Sequence, residues 1–209
     1  MERLPTHVPH LDDILNGGLP KDSIVLISGV PGSGKTILAS QIAYGNATPD
    51  YKALLVSTVS EPMSKLIRFA QGFSFFELDK VGTAVIYEDI GPVLLRGDGE
   101  IAVARVEELV LSHMPGLLVI DSFKAIHDLS ESRPAFRRAL YQLAATLSAL
   151  SCTTLLVGEY TGDIADAPEA AIVDGIIELA NRPIGLRDYR SLRVKKLRGS
   201  NYLSGEHAF

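Results

Sequence analysis

Eight consecutive residues, Gly29-Val30-Pro31-Gly32-Ser33-Gly34-Lys35-Thr36, have the types and spacing to cradle a polyphosphate. Glycines at 29, 32 and 34 remove side chains where the backbone must curl around phosphate and turn its N–H groups inward. An apolar run at 24–28 precedes the loop and a helical pattern beginning at Ile37 follows it. The helix N-terminus therefore adds partial positive charge at the same spot. Lys35 is placed for the β- and γ-phosphates and the Thr36 hydroxyl for Mg²⁺. This is the Walker A pattern in its full strand–loop–helix context, and it predicts MgATP binding through residues 29–37. The competing reading is a glycine-rich turn that binds nothing.

Mg²⁺ prefers oxygen ligands, so a hydroxyl alone does not complete its site. Asp121 directly follows Leu117-Leu118-Val119-Ile120, which puts a carboxylate at the end of a buried strand. Strand ends are where open α/β sheets bind ligands. Paired with the loop 85 residues earlier, Asp121 reads as the Walker B acid and metal ligand. Its alternative role is to cap the next helix.

These groups need a frame. Apolar runs at 24–28, 53–57, 84–87, 117–120 and 154–157 alternate with helical patterns at about 35–46, 62–72, 100–113 and 133–150. Such alternation predicts an α/β domain, its mainly parallel central sheet flanked by helices. Nearly unbroken apolar strands imply cover on both faces. After Pro168 the pattern changes to two strands, 172–179 and 191–197, separated by Asn181-Arg182-Pro183-Ile184-Gly185. That chemistry predicts a hairpin of antiparallel strands added to one sheet edge. No repeat or linker interrupts residues 1–209, so one domain is expected.

Composition narrows the function classes. Apolar residues make up 46% and charged residues 22%, an ordinary globular balance. The only cysteine, Cys152, lies in an apolar run and reads as a core residue. No run reaches the roughly 18 apolar residues of a membrane span, and no signal sequence is visible, so a cytoplasmic protein is expected. Five histidines show no metal-ligand spacing. The net charge of -5 argues against a surface built for nucleic acid. Yet seven of the 20 basic residues fall between Arg182 and Arg198. The aromatic stretch 69–76 could stack bases, but only Arg68 accompanies it, so core or subunit contact is the expected role.

With these residues in hand, the chain resembles the RecA-like P-loop ATPases of the KaiC family over nearly its whole length. The motifs are the loop with Asp121, the opening segment His10-Leu11-Asp12-Asp13-Ile14-Leu15-Asn16-Gly17-Gly18-Leu19-Pro20, and the closing Lys196-Leu197-Arg198-Gly199-Ser200 with Gly205-Glu206-His207. The resemblance implies a hexameric ring with ATP bound between neighbouring subunits. It assigns Lys196 and Arg198 to the γ-phosphate of the adjacent subunit's nucleotide, where added positive charge stabilises the transition state. The alternative is a solvated basic edge that discourages strand pairing; Arg182, Arg187, Arg190 and Arg193 are read as surface. The resemblance also points to Ser122 and Glu159 near the γ-phosphate, Glu159 having a second reading as a structural strand-end carboxylate.

One feature departs from the family. RecA-like ATPases usually place a glutamate after the second strand, and KaiC-like proteins often two. Here Val59 and Ser60 stand in those positions and Glu61 follows, displaced. Glu61 is read either as the catalytic base from a shifted loop or as a first-turn helix acid. The expected activity is ATP hydrolysis in an assembled ring, with nucleotide state controlling contact with a protein partner. A DNA-dependent ATPase and a nucleotide sensor with little hydrolysis are the alternatives.

Overall fold

The computed structural model describes residues 2–58, 63–95, 99–130, 132–160, 164 and 167–209. Strands β1 (Arg3–Leu4) and β2 (Leu19–Pro20) flank the short helix α1 (Leu11–Ile14). The parallel frame then runs β3 (Ile24–Gly29), α2 (Lys35–Asn46), β4 (Ala53–Ser57), α3 (Met63–Ala70), β5 (Val85–Asp89), α4 (Gly91–Leu94) and α5 (Gly99–His113). It continues with β6 (Leu117–Asp121), α6 (Phe123–Asp128), α7 (Arg133–Ala149) and β7 (Thr153–Gly158). A 3₁₀ turn at Pro168–Ala171 leads into β8 (Gly175–Ile184), β9 (Arg187–Leu197) and β10 (His207–Ala208).

Eight strands form one sheet in the order β10-β9-β8-β3-β7-β6-β4-β5. Every residue of β3 is buried, and successive side chains enter opposite cores. Val25 and Ile27 pack with Leu38 and Ile42 of α2 on one face. Leu26 joins Val106 of α5 and Phe136 and Leu140 of α7 on the other. This two-sided burial is why the strands read as continuous apolar runs and why their carboxyl ends share one edge. The Walker loop and Asp121 therefore emerge side by side. Cys152 is buried in the second core, and burial pushes its thiol up to about 12, in keeping with a packing role.

The hairpin is present as expected, with β8 and β9 antiparallel to one another, and its first strand joins the parallel frame. β8 pairs parallel to β3, Val25 opposite Gly175 and Gly29 opposite Leu179, while β9 pairs antiparallel with both β8 and β10. The cause is Asp174. Its amide donates to the Ile24 carbonyl (2.7 Å) and its carboxylate accepts the Ile24 amide (3.1 Å). Those two bonds start β8 at the same end as β3, after Ile172 and Val173 have closed the preceding turn onto the Glu169 carbonyl.

Candidate active site

The phosphate loop is shaped by its glycines. A Cβ at Gly29 would lie 2.2 Å from the Leu179 carbonyl oxygen and 2.8 Å from Ser33 Oγ, at a φ of +151°. Gly32 and Gly34 take φ of +73° and +100° and face open space. Helix α2 begins immediately after, and Leu38 donates to the Gly34 carbonyl (2.9 Å). The amides of Lys35, Thr36 and Ile37 precede that bond, so they have no partner within the helix. Ser33 adds a buried hydroxyl without a partner. This concavity of N–H groups, with room above Gly32 and Gly34, fits a polyphosphate.

Lys35 is only 7% exposed, and its Nζ donates to the Val30 carbonyl (2.9 Å) and to Glu159 Oε1 (3.3 Å). Glu159 sits just past β7 and is half exposed. The ammonium is thus folded over the loop, held by one backbone oxygen and one screened carboxylate.

Thr36 Oγ1 donates to Asp121 Oδ2 across 2.6 Å. Burial holds the Asp121 carboxyl above its ordinary range, while the Thr36 hydrogen bond and the Lys35 charge pull it back. A hydroxyl and a carboxylate oxygen in contact are the donor set Mg²⁺ takes beside phosphate, so the residues fit the metal. Both line a cavity of about 680 Å³ with Leu66, Phe69 and Phe73 on its apolar wall.

Thr58 was not anticipated from the sequence. It follows β4 and is buried; its hydroxyl accepts the Ser122 amide (2.7 Å) and donates to the Ser122 carbonyl (3.1 Å). Its own amide donates to the Asp121 carbonyl (3.0 Å). The Ser122 backbone is thus held by Thr58, which braces the turn that carries Asp121. No local pattern announces such a bond between residues 64 apart.

The predicted site residues divide into three groups. The loop 29–36, Ile37, Asp121, Ser122 and Glu159 cluster at the carboxyl ends of β3, β6 and β7. Glu61, with Val59 and Ser60, lies outside the described residues. Lys196 and Arg198 lie at the opposite end of the sheet. The Arg198 amide donates to the Asp174 carbonyl (2.8 Å), level with Ile24. That is five strand residues from Gly29, about 16 Å along β3. The Lys196 Nζ donates to the Ala170 (3.1 Å) and Val173 (2.7 Å) carbonyls, and Arg198 reaches the Asp174 carboxylate (3.5 Å).

The remaining basic residues of this region behave as surface. Arg182, Arg187, Arg190 and Arg193 are exposed, and Arg182 pairs with Glu206 (2.7 Å). In the aromatic stretch, Phe75 and Phe76 pack on Tyr44, with ring centroids 5.9 and 5.3 Å away, which fits the core role. Among the described residues no group of three or more His, Cys, Asp or Glu could hold a metal, and no helix is long and apolar enough to cross a membrane.

The family description "ATPase: KaiC" matches residues 4–209. The circadian clock oscillator protein KaiC of Picosynechococcus sp. is 28% identical over 221 residues, covering 100% of this chain and 43% of that protein. KaiC 1 of Synechocystis sp. is 29% identical over 225 residues, with 100% and 42% covered. The chain thus spans less than half the length of these relatives. The crystal structure of a KaiC-like protein from Pyrococcus horikoshii superposes with a TM-score of 0.82 at 24% identity, covering 100% of this chain and 94% of that one. This last likeness speaks for the fold.

Proposed function

The chain belongs to the KaiC ATPase family, and from that premise we propose that it hydrolyses MgATP in a ring of identical subunits, each completing its neighbour's site. The observation that carries the proposal is the separation between Arg198 and the phosphate loop. Arg198 stands level with Ile24, about 16 Å along the strands from Gly29, farther than its side chain reaches. Cations at that end serve a nucleotide only if it belongs to another copy. A head-to-tail interface repeated around a closed ring provides such a contact.

In this reading the amides of 29–37 hold the phosphates, and Lys35 moves from the Val30 carbonyl and Glu159 to the β- and γ-oxygens. Thr36 and Asp121 would hold Mg²⁺, which when bound would neutralise charge on the phosphates. Lys196 and Arg198 of the adjacent copy supply charge at the γ-phosphate, so turnover follows assembly. Glu61 is the proposed base for the attacking water, and the nucleotide state is proposed to govern contact with a protein partner.

The test is the rate per subunit as protein concentration rises, with oligomer mass recorded alongside. A rate that climbs with assembly supports the proposal, and one that stays flat while mass changes contradicts it. Val59 and Ser60 at the usual glutamate positions motivate a second reading, a nucleotide sensor. Tight MgATP binding by assembled rings that show no turnover would favour it.

A further inference from the structure

Glu169 is a fully buried carboxylate outside the phosphate site. It is 0% exposed, and among the described residues neither oxygen has a partner aligned as a hydrogen bond. Burying a carboxyl group without a polar partner is unfavourable, so the polar group packed against it matters. That group is His127, whose Nδ1 lies 2.9 Å from Glu169 Oε1. The buried Tyr160 hydroxyl completes the cluster, pushed up by burial and by the Glu169 charge. Outside this trio, Lys124 and Asp128 pair with each other on α6.

Each partner belongs to a different part of the machinery. His127 is on α6, which begins two residues after Asp121, and its ring stacks on Phe136 of α7 at 5.3 Å and 6°. Glu169 heads the segment 169–174. Its carbonyl accepts the amides of Ile172 (3.0 Å) and Val173 (3.1 Å), which closes the turn. The carbonyls of Ala170 and Val173 then face outward and take the Lys196 ammonium. Asp174, next in sequence, holds Arg198 through its carbonyl and carboxylate.

We propose that Glu169 and His127 are positioning residues: their buried contact pins the 169–174 segment to the helix following Asp121, and that segment fixes where Lys196 and Arg198 are presented. The pin thereby joins a subunit's own metal-binding strand end to the cations it offers the next subunit. This second consequence rests on the function proposed above; the pin itself does not.

The experiment reads the Lys196 amine directly. The whole chain is treated with an amine-reactive acyl ester, and labelling at Lys196 and at Lys195 is compared by mass spectrometry. Lys195, which stands at the bulge in β9 and pairs with Glu178, is the internal reference. In Glu169→Gln the Lys196:Lys195 ratio rises by roughly threefold to tenfold, the factor that losing a hydrogen-bonded hold gives. An unchanged ratio in the folded variant overturns the pin. If Glu169→Gln fails to fold, the double variant His127→Phe with Glu169→Met, which removes the polar contact at similar volume, carries the same comparison, because replacing both partners by apolar groups can be nearly neutral for stability.

A purely structural role would lower the unfolding midpoint without exposing Lys196 in the folded population. In assembled rings, Glu169→Gln lowers kcat with KM for ATP little changed, and its loss is non-additive with that of Lys196→Ala. If labelling rises while Lys196→Ala leaves the rate untouched, the γ-phosphate role fails and the pin stands. If labelling stays constant, the pin fails whatever the rates.

Discussion

Thr36 and Asp121 share a 2.6 Å hydrogen bond between residues 85 apart, tying the first turn of α2 to the end of β6. The two stand together because β6 and β3 each pair parallel with β7, bringing the strands' carboxyl ends to one edge. The contact sets a hydroxyl beside a carboxylate oxygen, and it leaves Asp121 in a poor environment for its own charge. Burial raises its carboxyl above the ordinary value of 3.8.

The sign of that shift predicts a trade between stability and binding. A carboxyl raised in the folded state favours folding while protonated. That contribution is fully present below the unfolded value and is lost as pH rises through the folded one. At neutral pH the ionised form is therefore a burden, and Asp121→Asn stabilises the metal-free chain by roughly 1 kcal/mol. The same substitution abolishes stabilisation by MgATP. In the unaltered chain, Mg²⁺-dependent stabilisation weakens as pH falls through the raised Asp121 value. Thermal unfolding with and without MgATP checks all three outcomes, and an Asn variant less stable than the parent without metal would contradict the account.

Thr58 is expected to matter more than its type suggests. Thr58→Val keeps the shape but leaves the Ser122 amide and carbonyl without the hydroxyl, a loss of about 1–3 kcal/mol. MgATP affinity falls with it, since Asp121 loses its brace. Thr58→Ser retains the hydroxyl and most of both properties. Denaturant midpoints and nucleotide titration measure the pair.

The loop glycines should separate into two classes. Gly29→Ala drives a methyl into the Leu179 carbonyl, a backbone atom that cannot step aside, and costs more than about 2 kcal/mol of stability. Gly32→Ala meets no atom within 4 Å; its left-handed backbone costs about 1–2 kcal/mol, and the methyl enters the phosphate space. The first variant is diagnosed by unfolding, the second by lost MgATP affinity in a chain that still folds.

The phosphate loop and Asp121 were legible in the sequence because each is a local pattern: glycines at fixed offsets, and an acid closing an apolar run. The parallel frame was legible for the same reason. The direction of β8 was not, since hairpin chemistry fixes β8 against β9 but not against β3. That relation is set by Asp174 and Ile24, 150 residues apart. Thr58 and Glu169 were invisible because their partners are distant and their types are ordinary at a strand end and a turn. Lys196 was recognised by resemblance, while its hold on the 170–173 carbonyls emerged only once the chain had folded back on itself.

The most direct test of shared sites mixes two inactive chains. Lys35→Ala removes the amine proposed to bind phosphate and leaves Arg198, while Arg198→Ala does the reverse. If each site takes its loop from one subunit and its arginine from the next, a one-to-one mixture regains activity at the interfaces that pair them correctly. With random assembly around a head-to-tail ring that is roughly one quarter of the unaltered rate. A mixture that forms rings yet remains at the sum of its two inactive parents would contradict the account.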